Sequence, residues 1–110
     1  MVDKEFAGRT ALVSGGSRGI GRAICVRLAR AGAWVAINHS ASADAAGETL
    51  ALVKAEGGDG RVYQADVSSY DATAAMYDAI ESEHGPVDLL VTNAGIASFE
   101  DDVDMPIALW

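Results

Sequence analysis

The sequence SGGSRGIG, residues 14–21, says most about how this chain folds. An apolar stretch at residues 10–13 precedes it and has the composition of a buried strand. Residues 22–30 follow it with apolar side chains at helical spacing. The first N–H groups of a helix have no partner inside the helix, and the helix dipole adds partial positive charge there. A glycine-rich turn between a strand and a helix therefore predicts a binding site for a phosphate group.

The spacing of three glycines gives each of them a separate task at such a site. We expect Gly15 to permit the tight turn after the strand and Gly19 to let the backbone approach the phosphate closely. We expect Gly21 to let the helix pack close to the strand. The turn is thus predicted to be both a fold determinant and a ligand-binding element.

Length and charge restrict the protein class. The 110 residues suffice for one small domain with a single core, residues 1–110. Hydrophobic residues make up 50% and charged residues 22%, as in globular proteins. The net charge of −8 argues against nucleic acid or an anionic membrane surface as the main partner, since both require clustered Lys and Arg.

Cysteine content and the N-terminus bear on the compartment. Cys25 is the single cysteine, so no disulfide can form within the chain. Residues 1–5 lack the apolar stretch of a signal peptide, and no apolar run approaches the roughly 20 residues that span a bilayer. We expect a cytoplasmic location with no membrane segment, and Cys25 as a small buried core residue.

Strand and helix patterns alternate along the chain. The predicted strands are residues 10–13, 33–37, 61–65 and 87–92. The predicted helices are residues 19–31, ended by Gly32; a second from Ser42 to the Gly57-Gly58 pair; and a third from Ser68 or Ser69 to the Gly85-Pro86 pair. Short connections of this kind predict an α/β fold with a four-stranded parallel sheet in the order 3-2-1-4. Helices would cover both faces, the first two on one side and the third on the other.

These elements together resemble the short-chain dehydrogenase/reductase family, most closely its bacterial 3-oxoacyl-(acyl-carrier-protein) reductase-like members. Ser14 and the three glycines match the family's TGxxxGxG element, with serine in place of threonine. Asp66 and Val67 end the third predicted strand, where the family has an aspartate that contacts adenine. Residues 92–95 match its NNAG element, with threonine in place of the first asparagine. The resemblance covers residues 6–110 and implies a partial Rossmann fold.

The resemblance also implies which residues contact a dinucleotide cofactor. Several of these residues have an alternative role: Gly15, Gly19 and Gly21 could serve only the tight turn, and Arg18 could be a solvated surface side chain. Asp66 could cap the third helix, and Asn93 could act only by tying strands together. The implied contacts are Gly15, Gly16, Ser17, Arg18, Gly19, Ile20, Gly21, Ser40, Asp66, Val67, Asn93, Ala94 and Gly95.

The end of the second predicted strand bears on the choice between NAD and NADP. NAD selectivity usually needs an Asp or Glu there to bind the ribose 2′-OH, and residues 37–40 contain none. Arg18 is placed to pair with a 2′-phosphate, and Ser40 or His39 could donate to it. We expect NADP rather than NAD, and we expect His39 to be a surface loop residue more than a selective ligand.

The family's catalytic groups have no counterpart in this sequence. Its chemistry is hydride transfer to or from a carbonyl carbon, with a Tyr acid/base whose pKa is lowered by a Lys four residues later, and with a Ser. Tyr63, Tyr70 and Tyr77 are followed at that spacing by Val, Ala and Glu. We therefore expect this chain to supply the NADP(H)-binding half of an oxidoreductase. The alternatives are a catalytically silent nucleotide-binding or assembly module, or a non-functional fragment.

The fourth predicted strand, residues 87–92, points to a protein partner. Its middle is apolar and carries no Lys or Pro, and in the order 3-2-1-4 it lies at an edge of the sheet. We expect a homo-oligomer, or a second polypeptide, to pair with this strand.

Overall fold

The computed structural model describes residues 4–92, which form a parallel sheet with helical crossovers. Every strand pairing is parallel, and the strands lie in the order β3-β2-β1-β4. The predicted fold class and strand order are therefore confirmed. In chain order the elements are β1 (Thr10–Ser14), α1 (Gly19–Arg30), β2 (Trp34–His39), α2 (Ala43–Ala55), β3 (Asp59–Gln64), α3 (Tyr70–Glu83) and β4 (Leu89–Thr92).

The first strand is the centre of the sheet. All five residues of β1 are buried, and Val13 is paired with Ile37 of β2 on one side and Val91 of β4 on the other. A strand that is covered on both faces and paired on both edges needs a continuous apolar sequence rather than an alternating one. The apolar run at residues 10–13 is the direct consequence.

Two hydrophobic clusters lie on opposite faces of the sheet, as predicted. One joins α1 and α2 to the sheet through Val13, Cys25, Ala29, Val35, Ile37, Ala46 and Val53. The other joins α3 to the opposite face through Leu12, Ala36, Tyr63, Met76 and Ile80. The alternation of Leu12 and Val13 between the two clusters shows the two-residue period of β1.

The second and third strands pair over a longer stretch than their apolar runs predict. β2 extends through Asn38 and His39, and β3 begins two residues early, at Asp59. Six residue pairs result, from Trp34 with Asp59 to His39 with Gln64. Gly60 permits the early start, because a Cβ at this position would overlap the carbonyl oxygen of Val35.

The ends of α1 and α3 follow the predicted signals. Gly32 follows α1 with a φ of +100°, a left-handed conformation that favours glycine. The hydroxyl of Ser69 accepts a hydrogen bond from the amide of Ala72 at 3.1 Å and caps α3. Of the two serines predicted for this role, Ser69 performs it.

At the start of α2 and at the start of β4, side chains make contacts that the sequence pattern did not predict. Ser42 precedes α2, but its hydroxyl accepts from Arg18 Nη2 at 3.1 Å and makes no cap bond. β4 begins at Leu89 rather than at residue 87. Just before it, Asp88 donates its amide to the Thr10 carbonyl at 2.8 Å and accepts from the Thr10 amide at 2.9 Å.

We predict that Gly60→Ala will lower the free energy of unfolding by about 1–3 kcal/mol, because β3 must move away from β2 to accommodate the methyl group. The control is Gly47→Ala in the exposed part of α2, where an added Cβ meets nothing within 4 Å. That variant should match or exceed the parent, since Ala favours helix over Gly by up to about 1 kcal/mol. Urea unfolding of the three proteins measures both effects. Equal stability of Gly60→Ala and the parent would contradict the prediction.

Candidate functional site

In the glycine loop between β1 and α1, two glycines have left-handed backbone conformations and a third lies tightly against the core. Gly15 and Gly19 have φ values of +68° and +62°, and an added Cβ at Gly19 would meet no atom of residues 4–92 within 4 Å. Gly16 differs, because its Cβ would lie 3.0 Å from Cys25 Sγ and 3.1 Å from Ile37 Cγ2. Its amide donates to the Asn38 carbonyl at 3.0 Å. The loop is therefore pressed onto the core at Gly16 and has open space at Gly19.

The start of α1 carries no acidic side chain in its first turn, and the side chain of Arg18 at the N-cap makes no cap bond. Its terminal N–H groups and dipole therefore favour an anion. Gly21 is buried within this turn, while Ile20 is 66% exposed beside the loop. This arrangement fits the predicted phosphate site.

The arginines that follow the loop differ in their partners. Arg27 and Arg30 form ion pairs with Glu5 at 3.4 Å and Glu56 at 3.0 Å. Arg18 is exposed, and within residues 4–92 it forms no ion pair with a carboxylate. Its bond to Ser42 directs the guanidinium towards the start of α2. Arg18 therefore keeps its charge available at this edge of the sheet.

Arg22 is instead part of an internal network that the sequence interpretation missed. It bonds to the carbonyls of Ser17 and Ala45, the hydroxyl of Thr49 and the carboxylate of Glu48. Thr49 is fully buried in α2. In the sequence, the one signal that could have indicated the contact is a polar Thr among the alanines and leucines of this helix.

The structure corrects the expectation for His39. It is the last residue of β2 and only 6% exposed, not part of a surface loop. Its Nδ1 is buried and has no hydrogen-bond partner within the described residues. Pairing with Gln64 extends the strand, and the Asn38 amide group bonds to the Ala65 carbonyl at 3.1 Å to hold that extension. An orphaned imidazole nitrogen therefore lies at the carboxyl end of β2.

The other predicted site residues lie at neighbouring strand ends. Ser40 is exposed, and its carbonyl accepts from Gln64 Nε2 at 2.7 Å. Asp66 is exposed and accepts from the hydroxyl of Ser68 at 2.6 Å and from its amide at 2.9 Å, which lowers the pKa of the Asp66 carboxyl. Val67 beside it is 41% exposed. Asp66 thus stabilises the turn before α3, while Ser69 provides the cap.

The fourth strand ends at Thr92, which is paired with Ser14. The hydroxyl oxygen of Thr92 is buried and finds no hydrogen-bond partner within residues 4–92. The predicted contacts Asn93, Ala94 and Gly95 lie outside the described residues. The structure therefore brings the loop, the end of β2 and the end of β3 to one edge of the sheet.

Residues 9–110 match the sequence model of the short chain dehydrogenase family. The chain belongs to this family. The match spans the glycine loop and all four strands, and it confirms the resemblance on which the site residues were assigned.

The chain spans about two fifths of the length of three relatives in the short chain dehydrogenase family. An acetoacetyl-CoA reductase from Allochromatium vinosum is 46% identical over 103 residues, which are 93% of this chain and 42% of that protein. A short-chain dehydrogenase/reductase from Serratia marcescens is 41% identical with a TM-score of 0.80, covering 84% of this chain and 38% of that one. The angucycline C-6 ketoreductase LanV, solved with bound NADP, is 37% identical with a TM-score of 0.73 over the same shares.

The described part of this short chain dehydrogenase family member lacks the features expected of a metal site and of a membrane-spanning helix. Between residues 4 and 92 there is no group of three or more His, Cys, Asp or Glu side chains that could hold a metal ion. No helix in that range is long and apolar enough to cross a membrane.

We predict that the stability of the protein falls above pH 9 through Cys25, which lies beneath the loop. Burial raises the pKa of its thiol from an ordinary value of 9.0 to about 12. The unfolded thiol ionises first, so stability is complete below pH 9 and is lost between about pH 9 and 12. By pH 10 this loss should reach about 1–2 kcal/mol relative to pH 8.

Urea unfolding of the parent and of Cys25→Ala at pH 8 and pH 10 measures this loss. Burial and Glu83 also raise the pKa of Tyr63 to about 12, but that contribution is common to both proteins. The stability difference between the two proteins should therefore shrink at pH 10. A constant difference would contradict the assignment to Cys25.

Proposed function

We propose that this chain is the cofactor-binding part of an NADP(H)-dependent oxidoreductase that reduces a carbonyl or 3-oxoacyl thioester. The observation that carries the proposal is the pairing of an uncapped α1 N-terminus with the exposed charge of Arg18, beside a β2 end that has no acidic side chain. The first feature favours the diphosphate of a dinucleotide. The charge of Arg18 and the absence of an acid at the end of β2 favour a phosphate rather than a hydroxyl at the ribose 2′ position. A carboxylate at that point would repel the phosphate.

The residues at this edge fit such a cofactor in three places. The loop from Gly15 to Gly21 would hold the diphosphate. Arg18 and Ser40, which are both exposed, would hold the 2′-phosphate. Asp66 and Val67 would contact adenine, and the family resemblance adds Asn93, Ala94 and Gly95, which follow β4 in the sequence. When bound, the cofactor supplies hydride for carbonyl reduction.

The substrate class is inferred from the relatives. The 46% identical relative is named for reduction of acetoacetyl-CoA, a 3-oxoacyl thioester. The Ser, Tyr and Lys that perform proton transfer in the family would come from polypeptide other than these 110 residues. The role proposed for the chain itself is to bind and orient the dinucleotide. The unpaired, buried thiol of Cys25 supports a reducing compartment, the cytoplasm.

We predict that Arg18→Glu will reverse the cofactor preference, because it replaces attraction of the 2′-phosphate with repulsion. Hydrogen bonds to charged groups contribute about 1.5–3 kcal/mol, so NADPH affinity should fall about tenfold or more while NADH affinity changes little. Arg27→Glu is the matched control, since Arg27 lies on the same helix and pairs with Glu5. Fluorescence titration of each protein with NADPH and NADH tests this. Equal affinity of the parent for both cofactors would refute the proposal.

We further infer that β4 pairs with a second polypeptide or a second copy of the chain. Within the described sheet β3 and β4 are the two edge strands. β3 carries exposed Asp59, Arg61 and Gln64, which discourage pairing, whereas β4 reads Leu-Leu-Val-Thr. Because the Asp88 amide points to β1, the alternation of the ladder directs the Val91 amide outward.

We predict concentration-dependent association that Val91→Pro reduces, because proline removes the outward donor and blocks the edge. Tyr70→Ser is the control, since Tyr70 is 84% exposed at the start of α3 and lies outside this strand. Sedimentation velocity over a hundredfold concentration range measures the effect, with circular dichroism to confirm folding. A parent that stays monomeric throughout would exclude the interface.

A further inference from the structure

The carbonyl oxygen of Ser17, in the middle of the glycine loop, is held from two directions. It accepts from Arg22 Nη2 at 2.8 Å and from Thr49 Oγ1 at 3.0 Å. Ser17 is 8% exposed and Thr49 is fully buried, so the bond from Thr49 is shielded from solvent, while the bond from Arg22 is partly buried. Hydrogen bonds from a charged donor are among the stronger ones in proteins. The loop is therefore fixed to α2 at this one carbonyl.

Arg22 is itself held at several points. Its Nε donates to Thr49 Oγ1 at 2.9 Å, and Nη2 also reaches the Ala45 carbonyl at 2.9 Å and Glu48 Oε1 at 3.2 Å. A planar guanidinium with this many acceptors has little rotational freedom. Arg22 thus joins α1 to α2 and is not available to bind a ligand.

The fixed carbonyl determines the direction of the next amide. In a trans peptide the C=O of one residue and the N–H of the following residue point to opposite sides of the chain. Since the Ser17 carbonyl points to Thr49 on α2, the Arg18 amide points away from α2. Arg18 is the N-cap of α1, so its amide directly precedes the unpaired N–H groups of the first turn.

We propose that Arg22 and Thr49 are positioning residues that keep the loop amides aimed at the cofactor diphosphate. The inference rests on the proposed function and adds a role for two residues that touch no part of the ligand. Other arginines of α1 serve as a comparison, because Arg27 and Arg30 tie the helix to Glu5 and Glu56 and leave the loop untouched. The loop conformation therefore depends on α2, a separate element of the chain.

The test compares two ligands on five proteins: the parent, Thr49→Val, Thr49→Ser, Arg22→Gln and Arg27→Gln. NADPH carries the diphosphate, whereas adenosine 2′-monophosphate lacks it and reports only on the adenosine end of the site. Dissociation constants are measured by fluorescence titration and by competition. Each value is corrected for the folded fraction from circular dichroism, so that a loss of stability is not counted as a loss of binding.

We expect Thr49→Val and Arg22→Gln to bind NADPH about tenfold more weakly. The loss for adenosine 2′-monophosphate should be much smaller, because the side chains of Arg18 and Ser40, not the loop amides, would hold its phosphate. Thr49→Ser keeps the hydroxyl and should stay near the parent, and so should Arg27→Gln. Unchanged NADPH affinity in Thr49→Val and Arg22→Gln, or an equal loss for both ligands, would overturn the positioning role. A parent that binds neither ligand would overturn the proposed function and this inference with it.

Discussion

Parallel pairing of β1 on both of its edges is the constraint on which the rest of the structure depends. Parallel neighbours cannot be joined by a tight turn, so each connection must cross the sheet as a helix. All strands then end at the same edge, where the glycine loop, the β2 end and the β3 end lie together. Burial of all five β1 residues stabilises this arrangement and leaves the polar loops for binding.

The distribution of charge reconciles the acidic composition of the chain with the anionic cofactor proposed for it. Three of the four arginines between the loop and the end of α1 form ion pairs within the chain: Arg22, Arg27 and Arg30 pair with carboxylates. Arg18 is left at the strand ends. The local field at the site, set by Arg18 and the α1 dipole, therefore opposes the net charge of −8.

Side-chain contacts between distant segments account for what the sequence interpretation missed. Apolar runs predicted the order of the strands correctly, but they placed the end of β2 two residues early. Pairing with β3 includes Asn38 and His39 in the strand, and no local pattern in residues 37–40 indicates that pairing. The close packing at Gly16 and the hydrogen bonds of Arg22 lay beyond the local pattern for a related reason. An added Cβ at Gly16 would meet Cys25 and Ile37, and Arg22 bonds to Thr49, which are residues on other turns or elements.

The sequence by itself determined the alternation of strands and helices, the glycine loop, and the absence of an acid after β2. These features follow from local periodicity and from residue types at fixed spacing, which need no distant partner. Only the tertiary structure decided which groups remain available at the site. Arg18 is exposed, whereas Arg22 is bonded to α2, and His39 is buried with a nitrogen that has no partner among residues 4–92. Those outcomes depend on how α2 and β3 pack around the loop. The same residue type can bind a ligand or hold two elements together, and its neighbours in the fold decide which.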